Sequence, residues 1–72
     1  MDDPLKAAEQ LSQALLFEPI DAVEAIAKQH GFSVSSKAHN KGLTIIVTRH
    51  IASGHEFILN FDNGKVSAKV LT

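Results

Sequence analysis

The spacing of apolar residues along the chain changes at Gly31. Before this residue apolar side chains recur every three or four positions, and after it they alternate with polar ones. A period of 3.6 residues is typical of an amphipathic helix, and a period of 2 is typical of a half-buried strand. The pattern therefore predicts an α+β protein with its helices in the first part of the chain and a sheet in the second.

Two helices are predicted, over residues 4–17 and 22–30. Asp3 is a suitable N-cap, and Pro4 suits the first helical position because an N–H group there would lack a partner anyway. Pro19 should end the first helix, since the residue before a proline avoids the helical region. Asp21 would then cap the second helix. A single kinked helix is the alternative that the pattern leaves open.

The alternating part of the chain predicts four strands, over residues 32–36, 43–50, 55–61 and 65–71. The first could be only an extended segment, followed by a loop over "KAHNKG", which would leave three strands. In "DNGK", Asn63-Gly64 favours a two-residue type I′ hairpin. This turn predicts four cross-strand pairs: Asp62 with Lys65, Phe61 with Val66, Leu59 with Ala68 and Phe57 with Val70. The helices are expected on one face of a three- to four-stranded antiparallel meander.

The strand "LTIIVTRH" is rich in β-branched residues, and alternation along it assigns its side chains to two faces. The side covered by the helices is predicted to hold Leu43, Ile45 and Val47. The open side is predicted to hold Thr44, Ile46, Thr48 and His50. Strands rich in β-branched residues with this alternation usually bury one face only.

An apolar patch on the open side is the feature that best suggests a function. The predicted register pairs Ile58 with Lys69, places Ile46 on the adjoining strand and puts Leu71 a diagonal step away. A compact apolar patch with a polar rim is typical of an interaction surface. We therefore predict a small non-enzymatic protein-interaction or regulatory module that binds a protein partner or forms a homodimer. Its expected contact residues are Ile46, Ile58, Lys69 and Leu71.

The charges are unevenly distributed along the chain. Residues 1–27 carry six acids and one base, whereas residues 28–72 carry six bases and two acids. The basic part supports an alternative function as a nucleic-acid-binding accessory domain, with these expected contacts: Lys37, Lys41, Lys65 and Lys69. Two observations count against it: the chain has no Trp or Tyr for base stacking, and its pI is near 6.4.

The stretch "RHIASGHEF", residues 49–57, raises the question of a metal site, because His50 and His55 flank a short connection. Zinc sites use three or four ligands, usually at recognisable spacings. Alternation predicts that His50 points to the open side and His55 to the helical side together with Arg49, unless Gly54 marks a bulge. No serine lies in a nucleophile motif. We therefore assign no metal, cofactor or catalytic residue and expect no enzymatic activity.

Length and composition limit the remaining possibilities. A chain of 72 residues forms one domain and buries only about 60% of its unfolded surface, so a partner subunit would add needed burial. It has no cysteine, which excludes disulfides and thiolate metal sites. No apolar run approaches the roughly 20 residues of a membrane span, and the acidic start is unlike a signal peptide. We expect a cytoplasmic protein.

The segment "DAVEAIAKQHGF", residues 21–32, resembles a helix found in the leader segments of modified-peptide precursors. The resemblance rests on the run A-I-A-K-x-x-G-[FY] and covers 12 of the 72 residues. Elsewhere the chain departs from that pattern, because no double-glycine cleavage site follows and the downstream part is rich in strands. No function is carried over from the resemblance.

Overall fold

Two helices pack against one face of a four-stranded antiparallel sheet in a computed structural model, which describes residues 3–72. The helices are α1 (Pro4–Leu15) and α2 (Val23–Gln29), joined through a 3₁₀ turn (Ile20–Ala22). The strands are β1 (Phe32–Asn40), β2 (Leu43–His50), β3 (Glu56–Asp62) and β4 (Lys65–Val70). They lie in the order β1-β2-β3-β4, so each strand pairs with its neighbour in sequence. The predicted α+β class and meander are confirmed, with four strands and two separate helices.

Helix α1 begins as its sequence predicts. The Asp3 carboxylate accepts a hydrogen bond from the Leu5 N–H group at 3.0 Å, and Pro4 occupies the first helical position. This cap satisfies one of the N–H groups that a helix start leaves without a partner. The face turned to the sheet is fully buried and consists of Ala8, Leu11, Ser12 and Leu15.

The connection between the helices differs from the prediction in two places. Helix α1 ends at Leu15 rather than near residue 17, because Leu16 is already extended and Phe17 adopts a left-handed φ of 69°. The N-cap of α2 is Ala22 and not Asp21, and no side chain caps it. Asp21 lies inside the 3₁₀ turn, and a residue in a turn lacks the extended backbone from which a cap side chain reaches the helix start.

Strand β1 is four residues longer than predicted and runs to Asn40. The segment expected to be a loop instead pairs with β2, and the two strands are joined by Lys41 and Gly42. Their φ angles of 43° and 82° are the two positive values that a type I′ turn requires. A bulge between Val34 and Ser36 shifts the β1–β2 register by one residue.

The hairpin of β3 and β4 has the register that its turn predicts. Asn63 and Gly64 have φ angles of 51° and 83°, as in a type I′ turn. All four predicted cross-strand pairs are present: Asp62 with Lys65, Phe61 with Val66, Leu59 with Ala68 and Phe57 with Val70.

The faces of β2 are the reverse of those predicted. Ile46 and Thr48 are 1% and 0% exposed and lie under the helices, where they pair with Leu59 and Phe57 of β3. The opposite side of the sheet carries the residues that were expected inside: Leu43, Ile45 and Val47. The core between the layers is formed by Ala8, Leu11, Leu15, Val23, Ala27, Phe32, Ile46, Phe57 and Leu59.

The register of the β2–β3 hairpin explains this reversal. Directly opposite residues of an antiparallel pair share one face of the sheet. The His50 N–H group donates to the His55 carbonyl at 2.8 Å, so the four-residue connection places these two residues opposite each other. Because β3 must bury Phe57 and Leu59, its partners in β2 are the buried residues Thr48 and Ile46.

None of the helices in residues 3–72 is long and apolar enough to cross a membrane.

Candidate functional site

The side of the sheet that the helices leave uncovered, here called the outer face, has an apolar centre. Val47 and Ile58 pair across β2 and β3, and Ala38 pairs with Ile45 across β1 and β2. The side chains of Ile45, Val47 and Ile58 are only partly buried. These residues form an apolar stripe across the first three strands, defined as Ala38, Ile45, Val47 and Ile58.

Charged residues of both signs flank the apolar stripe. Arg49 lies opposite Glu56 near one end of the sheet, and Asp62 lies opposite Lys65 near the other. Lys69 pairs with Ile58 and adds a third cation on β4. Opposite charges on directly opposed residues stabilise a sheet by about 0.2–1 kcal/mol. The outer face therefore combines an apolar centre with a rim that is close to neutral.

Three of the four predicted contact residues lie together on the outer face. Ile58 and Lys69 form the predicted cross-strand pair, and Leu71 follows β4 with 50% of its surface exposed. Ile46 is not one of them, because it is a buried core residue facing the helices. Its place beside Ile58 is taken by Val47, for the register reason given above.

The lysines proposed as nucleic-acid contacts do not form one surface. Lys37 makes an ion pair with Glu24 of α2 at 3.2 Å, on the helical side of β1. Lys41 lies in the β1–β2 turn, whereas Lys65 and Lys69 lie on β4. The structure therefore divides the four cations among three locations, and one of them is already paired with a carboxylate.

The histidines that flank the β2–β3 connection have local partners. The His50 ring packs on Phe32 with centroids 5.0 Å apart, and its Nδ1 lies 2.7 Å from the Ser53 hydroxyl. The same hydroxyl accepts from the His55 N–H group at 3.3 Å, and His55 Nδ1 lies 3.2 Å from the Thr72 carbonyl. The Ser53 hydroxyl therefore links the two ends of the connection, at His50 and His55. Within residues 3–72, no cluster of three or more His, Cys, Asp or Glu residues could hold a metal.

The predicted orientations at this connection are wrong for His50 and Arg49. His50 lies on the helical side against Phe32, and Arg49 lies on the outer face opposite Glu56. Both errors follow from the reversed faces of β2. Gly54 has a φ of 78° and allows the connection to close, and the Gly54 N–H group donates to the His50 carbonyl at 2.7 Å.

A second surface, here called the end groove, lies on the helical side of the sheet and has a volume of about 430 Å³. Its floor is apolar and includes Leu15, Val23 and Ile46, each no more than 3% exposed. Its rim includes Phe17 and Ile20, which are 87% and 37% exposed. The complete lining is Leu15, Leu16, Phe17, Glu18, Pro19, Ile20, Val23, His39, Gly42, Thr44, Ile46, Phe61, Asn63 and Gly64.

The end groove exists because the sheet is longer than the helix beside it. Helix α2 has seven residues and is about 10 Å long, whereas the nine residues of β1 extend over about 30 Å. The helices therefore leave the last part of β1 and the start of β2 uncovered. The sequence reasoning missed the groove because it ended β1 at residue 36 and placed Thr44 on the other face. The signal that could have predicted the longer β1 is Lys41-Gly42, since a glycine at the second position suits a two-residue turn between strands.

The wall of the end groove combines polar groups with a strained aromatic residue. His39 Nδ1 lies 2.7 Å from the Thr44 hydroxyl, and the Asn63 N–H group donates to the Gly42 carbonyl at 3.3 Å, which joins the two hairpin turns. A left-handed φ is rare for a bulky residue such as Phe17, and such strain costs about 1–3 kcal/mol. Strain of this kind is concentrated at ligand clamps and switch regions.

Comparison with known proteins gives no relative for this chain: no family model, curated protein or solved structure matches it.

Proposed function

We propose that this chain is a small cytoplasmic, non-enzymatic interaction module that associates with a second copy of itself through the outer face. The observation that carries the proposal is the apolar stripe on an uncovered sheet face. Sheets with one face on a core usually expose polar residues on the other. Here Ile45, Val47 and Ile58 occupy the centre of the exposed side instead.

The size of the outer face is sufficient for a weak dimer. Four strands about 4.8 Å apart and about seven residues long give a face of roughly 19 by 23 Å. Two such faces would bury on the order of 900 Å², close to the roughly 1,000 Å² expected at the lower end of specific interfaces. The proposed homodimer is therefore reversible and depends on protein concentration.

The charges around the stripe favour a second copy over a nucleic acid. A two-fold axis through the face brings the same patch of both copies together, so the patch must complement itself. The cations Arg49 and Lys69 and the anions Glu56 and Asp62 can then meet opposite charges across the interface. A phosphate backbone would instead require a surface of mainly positive charge.

Analytical ultracentrifugation over a range of concentrations tests the proposal, with Ile58→Glu as the disrupting variant. The new carboxylate would lie opposite Lys69 within one chain, which keeps the variant folded, but would be buried in a dimer. Ile51→Glu is the matched control, because Ile51 is 62% exposed in the β2–β3 connection and lies outside the outer face.

The wild-type chain and Ile51→Glu should both show a mass that rises from monomer to dimer with concentration. Ile58→Glu should sediment as a monomer throughout while keeping the wild-type far-ultraviolet circular dichroism. A wild-type chain that stays monomeric at millimolar concentration would exclude self-association. Equal dimerisation of both variants would exclude the outer face as its site.

A further inference from the structure

We propose that the end groove binds a peptide segment of a partner protein that carries a large apolar side chain next to a basic residue. The groove lies on the helical side of the sheet, and the self-association proposed above uses the outer face. The two sites are therefore independent, and either proposal can fail without the other.

The shape of the groove fits an apolar side chain. Its floor of Leu15, Val23 and Ile46 is buried, and Phe17 and Ile20 stand exposed at its mouth. A side chain inserted between them would cover apolar surface that the chain alone leaves in water. A volume of about 430 Å³ lies within the roughly 300–1,000 Å³ of pockets that enclose ligands.

Phe17 is placed to close over such a side chain. Its left-handed backbone directs it away from α1 and towards the β3–β4 turn, where a Cβ at Gly64 would lie 3.9 Å from the Phe17 ring. The ring thus spans from the helical layer to the turn at the groove mouth. Nothing in residues 3–72 covers it, since 87% of its surface is exposed.

The charge at the groove favours a basic partner over an acidic one. Glu18 is an acid in the groove wall, and the wall contains no lysine or arginine. The ion pair found within residues 3–72 joins Glu24 to Lys37, so Glu18 has no cationic side chain within ion-pair distance in this part of the chain. Asp21 in the adjoining 3₁₀ turn adds a second negative charge. Charge complementarity of this kind selects partners and orients them.

The remaining polar groups of the wall suit a peptide main chain. The Asn63 side-chain amide offers both a donor and an acceptor, and the Thr44 hydroxyl keeps hydrogen-bonding capacity beyond its contact with His39. These groups lie beside the apolar floor. A peptide can therefore place one side chain on the floor and its backbone along the rim.

NMR titration of the ¹⁵N- and methyl-labelled chain with two tetrapeptides tests this proposal. Both are acetylated and amidated: one reads lysine-leucine-phenylalanine-lysine, and the other has glutamate in place of lysine. The basic peptide should shift resonances of residues in the groove wall, including Leu15, Ile20 and Thr44, and should leave the apolar stripe unshifted. The acidic peptide should bind more weakly by about 3- to 10-fold.

Two variants and one matched control make the test specific. Glu18→Lys should weaken binding of the basic peptide by about 3- to 10-fold and strengthen binding of the acidic one. Glu9→Lys makes the same change of charge on the exposed side of α1, outside the groove wall, and should leave the preference for the basic peptide intact. Phe17→Gly removes the ring without disturbing the left-handed backbone and should weaken the binding of both peptides.

Three results would overturn the proposal. They are the absence of shifts in the groove wall at millimolar peptide, equal binding of the two peptides, and equal effects of Glu18→Lys and Glu9→Lys. Since the readout maps to the groove and the outer face separately, failure here leaves the self-association result unaffected.

Discussion

Thr48 is a fully buried residue of β2 whose hydroxyl has no hydrogen-bond partner within residues 3–72. It pairs with Val34 on one side and Phe57 on the other, so its surroundings are apolar. Leaving a buried polar group without a partner costs about 1–3 kcal/mol. Replacement by valine keeps the β-branched shape and removes this cost.

We expect Thr48→Val to raise the free energy of unfolding by about 1–2 kcal/mol. The estimate combines the recovered desolvation of the hydroxyl with the burial of one methyl group, worth about 0.8 kcal/mol, less some strain from the larger group. For a chain of this size, each kcal/mol corresponds to a Tm rise of about 4–8 °C. Urea denaturation followed by far-ultraviolet circular dichroism measures the change. Equal protein concentrations are needed because the proposed dimerisation would add apparent stability.

Thr44→Val is the matched control. Thr44 lies on the same strand and the same face, but its hydroxyl is hydrogen-bonded to His39 at 2.7 Å and it is only partly buried. The same chemical change should therefore give no stabilisation, or a loss of up to about 1 kcal/mol. A Thr48→Val variant that is less stable than wild type, or that gains no more stability than Thr44→Val, would show that the buried hydroxyl carries no such cost.

Three further predictions concern the elements that set the fold. Asp3→Ala should lower the free energy of unfolding by about 1 kcal/mol through loss of the α1 cap, whereas Asp3→Asn should be nearly neutral; urea denaturation distinguishes them. Gly42→Ala should lower the free energy of unfolding by about 1–2 kcal/mol, and by more than Gly64→Ala, although both glycines have φ above 80°. The new Cβ would lie 3.1 Å from a side-chain oxygen at position 42 but 3.9 Å from an aromatic ring at position 64, so equal losses would contradict this prediction. Lys37→Met should change stability by less than about 0.5 kcal/mol at any salt concentration, because its ion pair with Glu24 is partly exposed, and a larger salt-dependent loss in thermal melts would show otherwise.

The parts of the fold that depend on local chemistry could be predicted from the sequence. Asp3 and Pro4 mark the start of α1, and Asn63-Gly64 sets the type I′ turn of the last hairpin. In that hairpin the turn and the alternation support the same register. This agreement placed Ile58 opposite Lys69 correctly.

The faces of β2 could not be predicted from the strand alone. Ile45, Ile46 and Val47 are apolar at consecutive positions, so alternation permits either face. The pairing of His50 with His55 determines which face of β2 is buried. The sequence of a four-residue connection does not specify this pairing. Because the faces of β2 are the reverse of those predicted, Ile46 lies in the core and not on the proposed contact surface.

The end groove depends on relative lengths, which sequence patterns define poorly. Lys41 at the first position of the β1–β2 turn is a weaker signal than Asn63 at the corresponding position of the last hairpin. The sequence therefore did not predict that β1 extends to Asn40, past the part of the sheet that α2 covers. The left-handed Phe17 at the groove mouth has no sequence signal, because bulky residues rarely adopt that conformation.

Isotope-filtered NOE spectroscopy on a mixture of labelled and unlabelled chains tests self-association through the outer face most directly. Self-association through this face predicts intermolecular NOEs from the methyl groups of Ile45, Val47 and Ile58, and none from the two buried methyl groups of Ile46. Intermolecular NOEs confined to the helices or to the end groove, or none at a concentration where the sample is dimeric, would contradict it.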